Sequence, residues 1–357
     1  MRFAVLGCGV IGRVHATTIT RLAPRAELVV VVDVLPERSA AFADEFGVEP
    51  ATSLAEILTR ADIDAVAICT PSGRHAAAAI AVLEAGKDVV IEKPLDISLP
   101  AALDVVAAQA RTGRTVMVIS QHRHDSASLA VHDAISTGQL GVLTSGVASV
   151  PWWRSQGYYD SGEWRGTVGM DGGGALMNQA IHALDLLVWF LGEPAEVFGW
   201  SSRLTHPTIE VEDTAVAAIR FRGGALGVIH ATTSAFPGLA ARIQVHGDLG
   251  TAVVEGDRLR YYRTSAAGEP VGDYGTADVV GAVPSTLGDT GVTTASLPNK
   301  TAATSHTAQY VDFLEAVRDS RPPLMTAAAA ARTLAVVSAI YESAATGKPV
   351  VVTRGHP

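Results

Sequence analysis

The chain has 357 residues, more than one ordinary hydrophobic core accommodates, so we expect two domains. Its residues are 48% hydrophobic and 18% charged, as in a globular enzyme, and its net charge of −9 argues against nucleic acid or an anionic membrane as a partner, because both require a basic surface. No apolar run is long enough to span a bilayer and no cleavable signal pattern is visible, so we expect a cytoplasmic protein.

The chain opens with a glycine-rich turn between two predicted strands. An apolar strand over 3–6 leads into a G-x-G-x-x-G turn, and a helix follows. Gly7 allows the tight turn, Gly9 lets the backbone approach a pyrophosphate, and Gly12 lets the helix pack closely on the strand. Free N–H groups at the helix N-terminus favour phosphate. The turn therefore predicts a dinucleotide site.

The second strand, 28–32, ends on an acid that bears on cofactor choice. We expect Asp33 to accept hydrogen bonds from the adenosine ribose and to repel a 2′-phosphate, which favours NAD over NADP. Arg38 weakens this preference, because it could swing toward such a phosphate. The residues expected to hold this end of the cofactor are Gly7, Gly9, Val10, Ile11, Gly12, Asp33 and Arg38.

Strands and helices then alternate to about residue 120, which predicts a doubly wound parallel sheet. The predicted helices cover 36–46, 53–59, 75–85 and 98–112, and the strands cover 65–68, 88–91 and 115–119. Ligands bind beyond the carboxyl ends of the strands in such sheets. Further cofactor contacts are therefore expected from Thr70, Pro71 and His75 after one strand, and from Glu92, Lys93 and Pro94 after another.

Lys93 directly follows a buried strand, where a lysine that faces a ligand makes sense. Its local chemistry alone leaves a second interpretation equally open, in which Lys93 pairs with Glu92 or caps a helix.

Beyond residue 120 the pattern changes to alternating, glycine-punctuated runs, which are typical of an open, mainly antiparallel sheet. The predicted strands cover 142–150, 195–201, 213–221, 225–233, 241–246, 251–255, 258–262 and 350–352, and the helices cover 126–136, 304–319 and 326–344. Residues 264–300 predict a long surface loop. We expect a Rossmann domain over 1–120, on which 304–344 can pack back, and an α+β domain over 121–357.

An aromatic and charged loop, 152–165, is expected to select the substrate. Aromatic rings stack on sugars, and arginines bind carboxylate or phosphate in a bidentate manner. The tryptophans could instead anchor a core or an interface. The loop residues expected to contact substrate are Arg154, Tyr158, Tyr159, Trp164 and Arg165.

The helix that follows opens on three glycines, 172–174, and runs to about 191. Asn178, His182 and Asp185 are spaced i, i+4 and i+7, so we expect them on one face. Apolar residues on another face let this helix pack on a sheet. A polar row beside a glycine-rich opening suits a reactive group held against a flat ligand.

The glycine turn, the Glu92-Lys93-Pro94 triplet and the G-G-G-x-x-x-N-x-x-x-H-x-x-D pattern over 172–185 resemble, in order and spacing, the signature of the Gfo/Idh/MocA oxidoreductases. The segment 306–352 is similar as well, so the resemblance covers nearly the whole chain. It implies a bound nicotinamide cofactor and oxidation or reduction of a sugar, cyclitol or nucleotide-linked sugar. It also implies a homodimer or homotetramer formed through the open sheet.

The resemblance also implies individual roles. Lys93 matches a lysine near the nicotinamide and the reacting hydroxyl, aimed by a cis peptide to Pro94, and His182 matches the usual acid/base. His75 matches a position near the cofactor ribose. Of His122, Arg123 and His124, which face the substrate or lie in a solvated loop, Arg123 is the expected substrate contact.

Asn178 departs from the family pattern, because many members have aspartate there. An aspartate could raise the basicity of His182, whereas an amide can only hydrogen-bond. Either His182 works without a charged partner, or Lys93 takes a larger share of the proton handling. Glu92 and Asp185 are candidates for compensation.

Hydride transfer from a secondary alcohol requires a base for the hydroxyl proton and a positive charge beside the developing alkoxide. A neutral imidazole with a pKa near ~6.5 suits the first task and an ammonium the second. We therefore expect Lys93, His182 and Asn178 to be catalytic, with Arg123, Asn178 and His182 also contacting substrate. A His182/Asp185 metal pair is conceivable, but two ligands are too few, so no metal is expected.

Two other functions stay open at this point. A glycosidase could keep NAD bound and cycle it through a transient oxidation, with no net change in the cofactor. A non-catalytic protein could sense NAD and regulate a partner. The presence of both Lys93 and His182 argues against the second.

Overall fold

The computed structural model describes residues 1–265 and 302–353. The surface loop predicted over 264–300 lies outside the described residues, except for its first two. None of the described helices is long and apolar enough to cross a membrane.

The first half of the chain forms a six-stranded parallel sheet in the order β3-β2-β1-β4-β5-β6, which confirms the predicted doubly wound sheet. The strands are β1 Arg2–Leu6, β2 Glu27–Val32, β3 Glu49–Ala51, β4 Ala65–Ile68, β5 Asp88–Ile91 and β6 Val116–Val118. The helices between them are α1 Val10–Arg21, α2 Pro36–Phe46, α3 Leu54–Leu58, α4 His75–Glu84 and α5 Leu99–Thr112. Helices cover both faces, so the central strands are almost wholly buried. Only the short edge strand β3 was not predicted.

The second half forms an eight-stranded sheet, mainly antiparallel as predicted, in the order β13-β12-β11-β7-β10-β9-β8-β14. Its strands are β7 Leu143–Pro151, β8 Pro194–Ser202, β9 Thr214–Phe221, β10 Leu226–Thr232, β11 Arg242–Gly247, β12 Gly250–Glu255, β13 Arg258–Thr264 and β14 Val350–Val351. The β7–β10 pair is parallel and all other neighbours are antiparallel.

The remaining helices are α6 Ser126–Ser136, α7 Gln156–Tyr159, α8 Ile181–Leu191, α9 Ala302–Arg318 and α10 Ala327–Thr346. Helix α8 covers one face of the eight-stranded sheet so closely that a Cβ on Gly146 of β7 would lie 2.9 Å from the side chains of Leu187 and Leu191. The apolar stripe predicted for this helix therefore forms a core between helix and sheet.

Helix α9 packs against the first sheet. The rings of Tyr310 and Phe313 lie 5.7 and 6.1 Å from that of Phe3 in β1, measured between centroids. At the start of the next helix, the carbonyl of Met325 accepts a hydrogen bond from the N–H of Val118. These contacts fit the predicted return of the C-terminal helices, while the domain boundary near residue 120 stays a prediction.

Candidate active site

The glycine turn has little space for side chains at two of its three positions. Gly7 has φ +104°, and a Cβ there would lie 2.6 Å from the carbonyl oxygen of Cys69. A Cβ on Gly12 would lie 1.9 Å from the carbonyl oxygen of Gly7, whereas one on Gly9 would meet nothing within 4 Å. The turn is thus closed toward the protein and open above Gly9, where a pyrophosphate needs to approach.

The surface beside this turn fits an adenosine. Val10 and Val34 are 86% and 81% exposed, which is unusual for large apolar side chains next to a buried sheet. The carboxylate of Asp33, at the end of β2, accepts hydrogen bonds from the N–H groups of Cys8 (2.9 Å) and Leu35 (3.0 Å). Arg38 is exposed. The unobstructed backbone at Gly9, the exposed side chains of Val10 and Val34 and the carboxylate at the end of β2 together suit a dinucleotide.

His75 has a different position from the predicted contact with the cofactor. It is buried, and its ring nitrogens lie 2.7 Å from the carbonyl oxygen of Pro94 and 2.8 Å from that of Thr70. Both nitrogens are therefore engaged by backbone, and the ring joins the loop after β4 to the loop after β5. The hydroxyl of Thr70 is buried without a hydrogen-bond partner among the described residues, so it can serve a ligand.

Glu92, which the sequence predicted to contact the cofactor, is buried, and its carboxylate is held by protein groups. Its Oε1 lies 3.0 Å from Nε2 of His15 and 3.3 Å from Nε2 of His306. Burial opposes the charge, yet these hydrogen bonds hold the pKa of the Glu92 carboxyl well below its usual range. Its Oε2 accepts from the N–H of Lys93 (3.1 Å), so this carboxylate fixes the backbone that carries the lysine.

The helix expected over 172–191 begins as a π-helix, Ala175–Ala180, before α8 continues it. A Cβ on Gly173 would lie 2.1 Å from the hydroxyl of Tyr341, and one on Gly174 would lie 1.8 Å from the carbonyl oxygen of Glu212. The Glu212 carboxylate accepts from the N–H groups of Gly174 and Leu176. The glycines are thus required by close packing at the start of the helix, and π turns are frequent at functional sites.

Lys93 reaches this π turn from the end of β5. Its Nζ donates to the backbone carbonyl of Asn178 (2.8 Å) and to its side-chain Oδ1 (3.0 Å). Burial lowers the pKa of the Lys93 ammonium, and the nearby carboxylate of Glu92 opposes that effect. The peptide bond from Lys93 to Pro94 is cis, as the resemblance implied. The local alternatives, an ion pair with Glu92 or a helix cap, are not what this side chain does.

Asn178 therefore contacts Lys93 rather than His182, and its other partner was missed by the sequence analysis. The amide nitrogen of Asn178 donates to Asp171, a carboxylate that is only 2% exposed. Burial raises the pKa of the Asp171 carboxyl. The sequence feature that could have indicated Asp171 is its place directly before the three glycines. An acidic loop residue next to a run of glycines is, however, too common to identify a functional residue.

His182 and Lys93 line one small cavity at the carboxyl end of the parallel sheet. The other polar residues on its wall are Ser120, Asp185 and Thr333. The ring nitrogens of His182 make no hydrogen bond to any other described residue. Burial, followed by the cations His122 and Lys93, lowers the pKa of His182 well below its usual value, so the ring is a neutral base.

His122 is the cation beside that base. Its ring meets the ring of His182 edge-on, 5.3 Å between centroids. Its Nδ1 lies 2.9 Å from Asp125 and 3.0 Å from Asp257. Although burial acts against the charge, these carboxylates raise the pKa of His122 to about 9.

Arg123, predicted to contact substrate, is instead buried in an ion pair with Asp185. Its guanidinium donates to both carboxylate oxygens of Asp185, at 2.8 and 2.7 Å, and is 4% exposed as a residue. Ser120 and Thr333 donate to the same carboxylate. Asp185 is therefore not available to compensate for Asn178. The pair instead joins the loop after β6, helix α8 and helix α10.

We predict that Arg123→Ala lowers the free energy of unfolding by about 3–5 kcal/mol, because it leaves the Asp185 carboxylate buried without its charge partner. Urea unfolding followed by circular dichroism measures this. The control is Arg111→Ala, which breaks an exposed pair with Glu84 and should leave the unfolding midpoint unchanged. Equal midpoints for the two variants would contradict the role assigned to the buried pair.

The loop over 152–165 places two arginines around one aromatic ring. The guanidinium carbons of Arg154 and Arg165 lie 5.4 and 4.7 Å from the centroid of Tyr158, and Arg165 donates to its hydroxyl. Arg154 also donates to Gln179, whose amide donates to Tyr158. Arg165 stacks on Trp164 at 4.7 Å. Gln179, which accepts from Arg154, directly follows Asn178, which accepts from Lys93, so this cluster adjoins the lysine.

Tyr159, also predicted to contact substrate, is a core residue. It is 5% exposed, packs with Ile209 and Val211, and its hydroxyl bonds that of Thr233 at 2.8 Å. Two adjacent tyrosines on the short helix α7 point in different directions, and only Tyr158 faces the arginines.

Comparison with known proteins agrees with this geometry. A sequence model described as the oxidoreductase family with an NAD-binding Rossmann fold matches residues 1–120, and a model of the GFO/IDH/MocA C-terminal domain matches residues 128–253. The inositol 2-dehydrogenase of Rhizobium meliloti is 31% identical over 267 residues, which is 72% of this chain and 76% of that protein. The scyllo-inositol 2-dehydrogenase (NAD(+)) of Bacillus subtilis is 30% identical over 71% of this chain and 73% of its own length.

Among solved structures, the WlbA dehydrogenase from Bordetella pertussis, in complex with NADH and UDP-GlcNAcA, is similar over almost the whole chain. The match has a TM-score of 0.84 and 32% sequence identity, and it covers 99% of this chain and 98% of that one.

Proposed function

The chain belongs to the Gfo/Idh/MocA family of NAD-binding oxidoreductases, and from this premise we propose that it is a dehydrogenase of acidic sugars. It moves a hydride between the nicotinamide and a secondary hydroxyl or keto carbon of a sugar, cyclitol or nucleotide-linked sugar. The observation that carries this proposal is the pair Lys93 and His182, an ammonium and a neutral imidazole on the wall of one cavity at the carboxyl end of the parallel sheet.

The residues around the glycine turn would hold the cofactor. The backbone at Gly9 and the N-terminus of α1 would hold the pyrophosphate, and Asp33 would accept hydrogen bonds from the adenosine ribose. Its negative charge disfavours a 2′-phosphate, in keeping with NAD. Thr70, Pro71 and Pro94, in the loops after β4 and β5, would contact the part of the cofactor that approaches Lys93. When bound, the nicotinamide supplies the hydride acceptor.

The two reactive side chains divide the remaining work. The neutral ring of His182 accepts the hydroxyl proton as the carbon–hydrogen bond breaks. The ammonium of Lys93 donates a hydrogen bond to the same oxygen and stabilises its developing negative charge. In the reverse direction, the imidazolium returns the proton to the alkoxide. Asn178 holds the ammonium in place through two acceptors.

The arginines of the loop indicate that the substrate carries a negative charge. Neither Arg154 nor Arg165 forms an ion pair with a carboxylate of the described chain, and both lie beside Lys93. Two guanidinium groups that lack an ion-pair partner in the described chain favour a substrate with a carboxylate or phosphate. The sugar-nucleotide in the complex of the Bordetella protein supports a nucleotide-linked sugar acid.

The outer face of the eight-stranded sheet supports assembly into a homodimer or homotetramer. Trp200, Val216 and Val228 lie on that face and are 59%, 38% and 44% exposed. A row of large apolar residues across neighbouring strands is typical of an interface.

The cytoplasmic location stays a prediction.

The test of the proposed function is formation of NADH, followed by its absorbance, with inositols, aldoses, nucleotide sugars and the corresponding uronic acids. We expect turnover with at least one acidic sugar and a smaller rate with its neutral counterpart. Release of free sugar without a net change in NADH would instead identify the redox-neutral glycosidase. No formation of NADH with any compound of the panel would contradict the proposal.

We predict that Arg165→Ala reduces kcat/KM for the acidic sugar about 10–100-fold, because one charge-assisted hydrogen bond to the substrate anion is lost. The rate with the neutral counterpart should change far less. Arg21→Ala, an exposed arginine at the end of α1, is the control. An equal loss with acidic and neutral substrates would remove Arg165 from substrate recognition.

A further inference from the structure

The carboxylate of Asp171 is held between two parts of the site. One oxygen, Oδ2, accepts from the N–H of Gly166 at 2.8 Å, directly after Arg165 in the chain. The other, Oδ1, accepts from the side-chain amide of Asn178. The residue is 2% exposed, so the protein has buried a charge here and must hold it by these contacts.

The amide of Asn178 has two ends that differ in chemistry but hardly in shape. Its Oδ1 can only accept and its Nδ2 can only donate, so its partners decide its orientation. Lys93 only donates, and the Asp171 carboxylate only accepts. Asp171 thus takes the amide nitrogen and leaves Oδ1 for the ammonium.

The same carboxylate also contributes charge. Lys93 is faced by the carboxylates of Glu92 and Asp171, by the guanidinium groups of Arg154 and Arg165, and by the ring of His182. Burial lowers the pKa of Lys93, and Asp171 acts against this effect. Its negative charge therefore favours the ammonium form.

We propose that Asp171 is a positioning residue that acts on Lys93 through Asn178: it fixes the amide so that Oδ1 faces the ammonium, and it supplies the carboxylate charge that an amide at 178 lacks. The inference rests on the proposed function of Lys93.

Asp171→Asn tests both parts of the proposal. The N–H of Gly166 still needs an acceptor, so the carbonyl of the new amide turns to it and its NH₂ faces position 178. Asn178 must then rotate, which directs its own NH₂ at the ammonium. We expect kcat/KM at neutral pH to fall about tenfold. The alkaline limb of the pH profile of kcat/KM should move down by about one pH unit, because the negative charge of the nearby carboxylate no longer stabilises the ammonium form of Lys93.

The double variant Asp171→Asn/Asn178→Asp moves the carboxylate to position 178. There it can accept from both Lys93 and the amide at 171, while the carbonyl of that amide accepts from Gly166. Every hydrogen bond is restored, so this variant should fold even where the single variant does not. We expect most of kcat/KM to return, with an alkaline limb at or above that of the wild type.

Asp88→Asn is the matched control, because Asp88 is another buried carboxyl with a raised pKa, at the opposite end of β5 from Lys93. It should not move the alkaline limb. An unmoved limb in Asp171→Asn, or a double variant no better than the single one, would overturn the inference. The proposed function is tested separately by Lys93→Ala, and full turnover in that variant would contradict it. If Lys93→Ala is inactive while Asp171→Asn has a normal rate and pH profile, the proposed function stands and only the role of Asp171 is rejected.

Discussion

Lys93→Ala is expected to reduce kcat by about 10³-fold and to leave the affinity for NAD nearly unchanged. The ammonium is the hydrogen-bond donor for the developing alkoxide, and loss of such a donor in a buried site costs about 10²–10³-fold in rate. Lys93 contacts Asn178 and not the glycine turn, so binding of the adenosine half should persist. Stopped-flow measurement of NADH formation, with NAD titrated against tryptophan fluorescence, gives both quantities.

The chain offers a matched control at the other end of the same strand. Lys87 is also buried, and its Nζ donates to the carbonyl oxygens of Arg60 (2.6 Å) and Ile63 (2.9 Å). Lys87→Ala removes a buried ammonium from backbone acceptors, as Lys93→Ala does, but far from the cavity. It should lower stability while kcat per folded molecule is kept. A similar loss of kcat in both variants would mean that Lys93 acts through folding alone.

His182→Gln is expected to reduce kcat/KM by about 10²–10⁴-fold, because no other neutral base among the described residues lines the cavity. The pH profile carries the sharper prediction. Protonation of His182 destroys the base, and its pKa lies well below 6.5 because of burial and of the cations His122 and Lys93. Activity of the wild type should therefore persist as the pH falls below 6.5, and the acid limb should be absent in His182→Gln.

His122→Gln separates this electrostatic effect from simple packing. It removes the cation whose ring lies 5.3 Å from that of His182, so the pKa of His182 should rise. The acid limb of kcat/KM is then expected at higher pH, by about one unit. An acid limb that stays in place would show that His122 does not act on the base.

The parts of the fold and site that could be predicted from the sequence are those set by short stretches of chain. The glycine turn with Asp33 occupies one strand–helix–strand unit, and Gly7 and Gly12 are required by contacts within that unit or with the neighbouring β4 strand end. Lys93 follows a strand that is buried on both faces, so its position at the carboxyl end of the sheet was fixed by pattern alone.

The misplaced residues depend on contacts between distant segments. Arg123 and Asp185 are 62 residues apart, and nothing local indicates that the arginine would be neutralised by the helix acid rather than by a ligand. His75 is engaged by the carbonyl of Pro94, 19 residues away, and Glu92 by His306, 214 residues away. Helical periodicity also cannot reveal a π turn, and the groups that contact its start, Glu212 and Tyr341, come from distant segments of the chain.

The central claim is that Lys93 and His182 act on the same oxygen, and a crystal structure of the protein with NADH and the acidic sugar it oxidises tests it most directly. We predict that one ring hydroxyl lies within hydrogen-bond distance of both Lys93 Nζ and a ring nitrogen of His182, with the substrate anion on Arg165 or Arg154. A sugar bound with that hydroxyl on Lys93 alone and His182 turned away from it would contradict the account.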